Sequence, residues 1–291
     1  KSSGKNGVSF MKTDNKEIMK SKMKKNIPTF IKWAGGKKQL LPQFDKLFPK
    51  TAVRYFEPFV GGGAVAFYII QKNNLKEIYL SDINEELINC YEIIRDNVEE
   101  LISKLKFHRE NHNQEYYYAI RELVPGILSN IERASIFIYL NKTCFNGLYR
   151  VNSKGKFNVP MGNYKNPSIF QENDLRELSK ILKKVKIVKM NFEKVLDYAK
   201  KDDFIYFDPP YYPLKKGQSF TTYTKDNFLE KEQQRLAEVF KELDKRGCKV
   251  MLSNSDTSFI KNLYGDFIFH IVKANRMINS DATKRGAVNE L

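Results

Sequence analysis

Six short apolar stretches constrain the fold of this chain more than any other feature: RYFEPF (54–59), EIYLSD (77–82), KIVKMNF (186–192), DFIYFD (203–208), CKVMLSN (248–254) and DFIFHIVKA (266–274). Each has the length of a strand, and helical stretches alternate with them. Apolar runs of this kind indicate strands buried on both faces, so the expectation is an α/β chain with a parallel sheet between helical layers. The interval from Asp82 to Lys186 is too long for one crossover. It holds helical runs around 84–123 and 130–142, then NGLYRVNSKGKFNVPMGNY (146–164), rich in turn formers and alternating residues. Residues 86–185 are therefore expected to form an inserted helical and β-hairpin subdomain, between two pieces of one core, 28–85 and 186–291.

Composition narrows the partners. A chain of 291 residues with 42% hydrophobic content can fill a core, and a formal net charge of +16 points to a polyanion. Clustered Lys and Arg gain affinity by releasing the counterions condensed on phosphates. Charge alone does not choose among DNA, RNA and an acidic membrane surface. The first 29 residues carry eight lysines against two acids, read here as a disordered basic arm over 1–27. No apolar run approaches the ~20 residues of a membrane span, and no signal-peptide core follows the basic start, so an intracellular protein is expected; separately, a monomer is expected. Cys90, Cys144 and Cys248 are far apart. His108 and His112 stand at i, i+4 without a His-Glu-x-x-His pattern, so no metal is expected, and a solvated helix face is the reading for both.

The strand at 54–58 runs into Phe59, Val60, Gly61, Gly62, Gly63, Ala64, Val65 and Ala66. Gly61, Gly63 and Ala66 satisfy the G-x-G-x-x-A fingerprint, with Asp82 about 20 residues on at the end of the next strand. A loop of this kind lets a nucleotide-like ligand approach the backbone closely. The motif does not separate an NAD enzyme from an S-adenosylmethionine enzyme, because both ligands carry a ribose whose hydroxyls suit Asp82. A turn that merely packs helix on strand would use the same small residues. The lead-in Glu57-Pro58-Phe59 resembles the first motif of amino-methyltransferases.

A second motif closes the apolar run FIYF: Asp208, Pro209, Pro210, Tyr211. In a doubly wound sheet ligands bind beyond the carboxyl ends of the strands, so Asp208 is expected to face the same crevice as the glycine loop. Two prolines have no N–H and hold an extended path, which leaves carbonyl oxygens as acceptors. An exocyclic amine is a poor nucleophile because its lone pair is delocalised into the ring. Acceptors on both of its hydrogens, from Asp208 and the Pro209 carbonyl, would localise that pair, and the Tyr211 face would hold the base in line with a methyl donor.

With these motifs in this order, the chain resembles the Dam-type, DpnM-like DNA adenine-N6 methyltransferases of the alpha group, over about residues 28–291. The resemblance rests on FIKWAGGKKQLL (30–41), FEPFVGGGA (56–64), LSDIN (80–84) and YFDPPY (206–211). It implies a Rossmann-like S-adenosylmethionine-dependent methyltransferase sheet with an inserted DNA-recognition subdomain, acting on double-stranded DNA with GATC as target. It further implies that Trp33, Lys37, Phe59, Gly61, Gly63, Asp82 and Asp208 bind S-adenosylmethionine, with Asp82 on the ribose. FNGLYR (145–150) and FNVP (157–160) match the family's recognition hairpin. By that match Arg150 reads a guanine, Leu148 and Pro160 meet a thymine methyl, Phe145 wedges into the stack beside Asn146, and Lys32 reaches the outer guanine. Phe145 stands where relatives often carry Tyr, which keeps the aromatic wedge. The closing KRGAVNEL falls within what resembles the family's final strand, which leaves the last sheet position open.

Three other functions share parts of this pattern. An amino-methyltransferase acting on RNA or on a protein glutamine would usually carry Asn-Pro-Pro-Tyr, and Asp208 stands against that. An NAD oxidoreductase would use the glycine loop alone. A non-enzymatic DNA-binding protein would need only the basic charge, and an intact Asp-Pro-Pro-Tyr stands against it.

Overall fold

The computed structural model describes residues 29–152, 155–214, 228–275 and 287–291, so the basic arm expected at 1–27 lies outside the described residues. Strands β1 (Arg54–Glu57), β2 (Glu77–Asp82), β3 (Lys186–Lys189), β4 (Phe204–Phe207) and β5 (Lys249–Leu252) form a five-stranded sheet in the order β3-β2-β1-β4-β5. Every pairing in it is parallel. The alternation of side chains along each strand divides the core in two. Tyr55, Leu80, Phe204 and Tyr206 pack on one side, whereas Phe56, Ile205 and Phe207 pack on the other.

Helices α1 (Leu41–Phe44), α2 (Ala64–Lys72), α3 (Glu85–Asp96), α4 (Val98–Glu110), α5 (Gln114–Glu122), α6 (Asn130–Thr143) and α7 (Glu172–Leu182) share the first core. Helices α8 (Glu230–Lys245) and α9 (Ser258–Leu263) cover the second. Local chemistry marks the starts of the longer ones. The Asn84 side chain caps α3 by accepting from the Leu87 amide, ahead of Glu85 and Glu86 in the first turn. Ser129 and Glu132 form a reciprocal capping box on α6. Lys186 and Lys189 are exposed on the edge strand β3, where charge opposes pairing with another chain.

Two expectations are corrected. The sixth apolar stretch does not join the parallel sheet: residues 266–271 form no strand, and β6 (Val272–Asn275) pairs antiparallel with β7 (Ala287–Glu290) in a separate ribbon. Ile268 and Ile271 are 85% and 58% exposed, so apolar composition alone did not secure a strand partner there. The ribbon reaches the main sheet through reciprocal backbone bonds between Asn254 and Leu291, at 3.0 and 2.9 Å. The second correction concerns His108, which is buried, not solvated. It stacks on Tyr139 and meets the Tyr116 hydroxyl at 2.7 Å and Ser135 Oγ at 3.2 Å. Burial holds its imidazole down at about 4, hence neutral, and His112 meets the Tyr139 hydroxyl at 2.9 Å. Packing of α4 against α6 turns this face inward, which the i, i+4 spacing could not reveal.

Strand order grows in one direction from β1 through β2 to β3 and in the other through β4 to β5. The register of Tyr55 with Phe204 and Phe56 with Ile205 brings the segments that follow β1 and β4 to the same edge. A crevice at such a reversal is where doubly wound sheets bind ligands.

Candidate active site

The glycine loop follows β1 directly. Gly61 and Gly63 have φ of 47° and 74°, in the left-handed region that other side chains avoid. Space forbids a side chain as well: a Cβ on Gly61 would lie 2.7 Å from Trp33 Cδ1, and one on Gly63 would lie 2.6 Å from the Tyr91 hydroxyl oxygen. Trp33 thus rests on the loop, with Tyr149 and Phe137 stacked near it at 5.8 and 6.4 Å. The Gly61 amide donates to Asp82 Oδ2 at 3.2 Å, the Asn84 amide donates to Oδ1 at 3.0 Å, and the Gly61 carbonyl accepts from the Tyr91 hydroxyl at 2.9 Å. Burial raises the Asp82 carboxyl to about 6 against the pull of these amides. Phe59 turns to the other core, stacked on Phe192 at 5.5 Å. Tyr91 was not singled out from sequence. Its signal was a hydroxyl on the apolar stripe of α3 formed by Leu87, Ile88, Tyr91 and Ile94.

Asp208 follows β4 and is 20% exposed, with the Lys37 ammonium 2.8 Å from its Oδ1. Lys37 is 3% exposed, donates also to the Gly35 carbonyl, and lies 4.8 Å from the centre of the Tyr211 ring. Its side chain therefore joins the carboxylate and the aromatic of the Asp-Pro-Pro-Tyr segment. Burial lifts the Asp208 carboxyl to about 6, the Lys37 charge draws it down, and Glu290 pushes it up. Glu290, at the end of β7, accepts from the Tyr211 hydroxyl at 2.8 Å. Sequence reasoning missed this acid, whose local signal was no more than a carboxylate beside Leu291 in the run AVNEL. A further carboxyl, Glu57, is buried with the Tyr55 hydroxyl donating to it, and burial pushes it well above the usual carboxylate range.

The candidate DNA-reading residues gather where α6 ends. Phe145 to Gly147 form a turn with φ of 56° at Asn146 and 64° at Gly147. A Cβ on Gly147 would lie 2.4 Å from Lys32 Cβ, so the opening segment presses directly on this turn. Asn141, wholly buried on α6, fixes that contact. Its Nδ2 donates to the carbonyls of Lys32 and Gly147 at 2.8 and 3.1 Å, and its Oδ1 accepts from the Lys32 amide at 2.8 Å. The Lys32 ammonium lies 4.1 Å from the centre of the Tyr164 ring. Antiparallel bridges Cys144–Met161 and Val151–Phe157 make the following segment a loose hairpin. Phe145 is 51% exposed, Pro160 is exposed, and Leu148 packs half-buried on the core. Arg150 is exposed, with its Nε donating to Asn158 Oδ1 at 2.7 Å. The segment from Lys32 to Lys37 thus runs from this hairpin to Asp208.

Glycine loop, strand-end acid and Asp-Pro-Pro-Tyr stand at the carboxyl ends of three adjacent parallel strands, the arrangement of an α/β methyltransferase. Residues 33–278 match the D12 class N6 adenine-specific DNA methyltransferase family, and the chain belongs to that family. It is an adenine-specific DNA methyltransferase. The type II methyltransferase M.MjaIII of Methanocaldococcus jannaschii is 47% identical over 275 residues, 89% of this chain and 95% of the relative. The type II methyltransferase M1.LlaDCHI of Lactococcus lactis subsp. cremoris is 42% identical over 93% of this chain and 96% of its own length. The DNA adenine methylase of Haemophilus influenzae is 38% identical over 95% and 96%. Among the described residues no helix is long and apolar enough to cross a membrane, and no group of three or more His, Cys, Asp or Glu is placed to hold a metal ion.

Proposed function

We propose that the enzyme takes its methyl group from S-adenosylmethionine and delivers it to N6 of an adenine flipped out of double-stranded DNA, within GATC. The observation that carries this reading is the Lys37–Asp208 pair beneath the Tyr211 ring, at the carboxyl end of β4 and beside the glycine loop. When bound, S-adenosylmethionine supplies a methyl group on a positively charged sulfur. The donor set fits it: a half-buried carboxylate, Asp82, suits vicinal ribose hydroxyls, and the close packing of Trp33 on Gly61 and of Tyr91 on Gly63 fixes the loop beside it. Asp208 and the Pro209 carbonyl accept the two N6 hydrogens and sharpen the amine lone pair. Among the described residues no donor reaches the Pro209 carbonyl, which supports that use. Tyr211, steadied by Glu290, is the stacking face. Lys37 keeps Asp208 ionised in a buried site. Residues 86–185 serve as the recognition subdomain.

Cofactor binding has a direct test. Asp82→Ala is expected to weaken S-adenosylmethionine binding by on the order of 1 to 3 kcal/mol in calorimetry, the usual cost of a lost hydrogen bond to a charged group. Unchanged affinity would remove Asp82 from the ribose site.

The GATC reading rests on the hairpin. Residues 142–171 include five Lys or Arg and no acid, a surface suited to DNA. Phosphate contacts position a protein without reading sequence, whereas a guanidinium can pair with O6 and N7 of guanine. Asn158 holds the Arg150 guanidinium from one side, which supports a fixed reading geometry over a mobile phosphate contact. Arg150→Ala is expected to cost roughly 1 to 3 kcal/mol on GATC and to relax preference at one base pair only. Methylation rates on GATC and its single-base variants at two salt concentrations check this. A uniform loss on all substrates with a shallower salt dependence would mean a phosphate contact instead.

A further inference from the structure

The Asp-Pro-Pro-Tyr segment has an internal weakness. Pro209 and Pro210 have no N–H, so two consecutive donors that could pin the loop are missing exactly where its path must be fixed. Two buried amide side chains, one on α8 and one just past the end of β5, fill the gap. Gln233 on α8 donates from Nε2 to the Pro210 carbonyl at 2.9 Å, and its Oε1 accepts from Asn254 Nδ2 at 3.0 Å. Asn254 Oδ1 in turn accepts from the Tyr212 amide at 3.1 Å and from the Ser255 amide at 2.8 Å. Both side chains are 0% exposed. The orientation of each amide is set by its ends, since a carbonyl only accepts and a backbone N–H only donates. Gln233 occupies a core position of α8, on the stripe with Leu236, Ala237 and Phe240, where an apolar side chain would serve packing better. Asn254 closes the strand CKVMLSN and is itself bonded through its backbone to Leu291.

We propose that Gln233 and Asn254 are positioning residues for methyl transfer: they clamp the backbone from Pro210 to Tyr212 from behind, engaging the Pro210 carbonyl and leaving that of Pro209 to the substrate amine. The inference rests on the reading that Asp208 and Pro209 accept the amine hydrogens. The clamp contacts neither DNA nor cofactor in that reading, so its loss acts on the reacting geometry and not on binding.

The test uses the full chain with a GATC duplex and S-adenosylmethionine. Gln233→Leu, which removes both bonds at similar size, is expected to lower kcat at least about tenfold while the KM for DNA, and DNA affinity by fluorescence anisotropy, stay within about twofold. Gln233→Glu has the right shape but, when ionised, sets an acceptor against the Pro210 carbonyl. Protonation restores a donor there. Its kcat relative to wild type is therefore expected to rise several-fold from pH 8 to pH 6. Asp208, Tyr211, Tyr212, Glu230 and Glu290 are common to both enzymes and cancel in that ratio. A folded Gln233→Leu with kcat within twofold of wild type, or a Gln233→Glu ratio flat with pH, overturns the clamp. Should Gln233→Leu fail to fold, the pH ratio decides alone. A wild-type enzyme that leaves adenine unmethylated overturns the underlying reading and the clamp together, whereas an active wild type beside an equally active Gln233→Leu overturns the clamp only.

Discussion

Asp208→Ala is expected to slow methyl transfer by orders of magnitude while DNA binding persists. In the proposed mechanism the carboxylate acts on the reacting amine and its contribution is made mainly in the transition state, so kcat should fall and not affinity alone. The cations of the 142–171 segment are untouched. The change also strands an ammonium: Lys37 is 3% exposed and loses the partner 2.8 Å away. Removing one member of a buried pair typically costs about 3 to 5 kcal/mol, so a lower unfolding midpoint is expected as well. Asp208→Asn separates the two effects, since it keeps an acceptor oxygen without the charge. Single-turnover rates with a labelled methyl donor, beside anisotropy on the same duplex, check the claim. Turnover of Asp208→Ala near the wild-type rate would remove Asp208 from the chemistry.

The second large effect belongs to Lys37. Burial raises the Asp208 carboxyl to about 6, with Lys37 opposing the rise. The active form in this account is the carboxylate, present above that value, so wild-type activity should fall as pH drops through about 6. Removing the ammonium in Lys37→Met lifts Asp208 further, and an opposite charge at this distance is worth about 1 to 3 pK units. The acid limb should therefore move to higher pH, with a loss of about tenfold or more at pH 7 that shrinks towards pH 9. A rate profile from pH 5 to 9 measures it, and an unmoved limb would separate Lys37 from Asp208. The same shifts bear on stability. Asp82 and Asp208 both titrate near 6 when folded and near 3.8 when unfolded, so each binds its proton more tightly in the folded state. Their contribution favours folding most below the unfolded value and is lost as pH rises through about 6. Relative to their protonated forms, the two ionised acids at neutral pH weaken the unliganded fold by on the order of 1 to 3 kcal/mol each.

Local signals carried most of the architecture. The apolar runs at β1, β2, β3, β4 and β5 are readable because the strand pattern acts within a few residues. Asp208 and Gly61 were legible for a topological reason: both follow strands whose carboxyl ends share an edge. The residues that sequence left out act across long separations. Glu290 reaches Tyr211 from 79 positions away, Asn254 meets Gln233 across 21, and Asn141 binds Lys32 across 109. No local period reports such a partner. The run at 266–271 failed for the same reason, since β6 takes its partner from β7 and not from the parallel sheet. His108 looked polar among Arg, Glu and Asn neighbours, yet the aromatic surface of Tyr116 and Tyr139 encloses it.

Methylation of adenine N6 within GATC is the reaction proposed for this site. It is tested most directly by incubating the purified enzyme with S-adenosylmethionine carrying a deuterated methyl group and a duplex with one GATC, then digesting to nucleosides and weighing the products. The expected product is deuteromethyl N6-methyldeoxyadenosine from that duplex and very little from one in which the GATC adenines are replaced. Label on cytosine N4, or equal labelling of both duplexes, would contradict it.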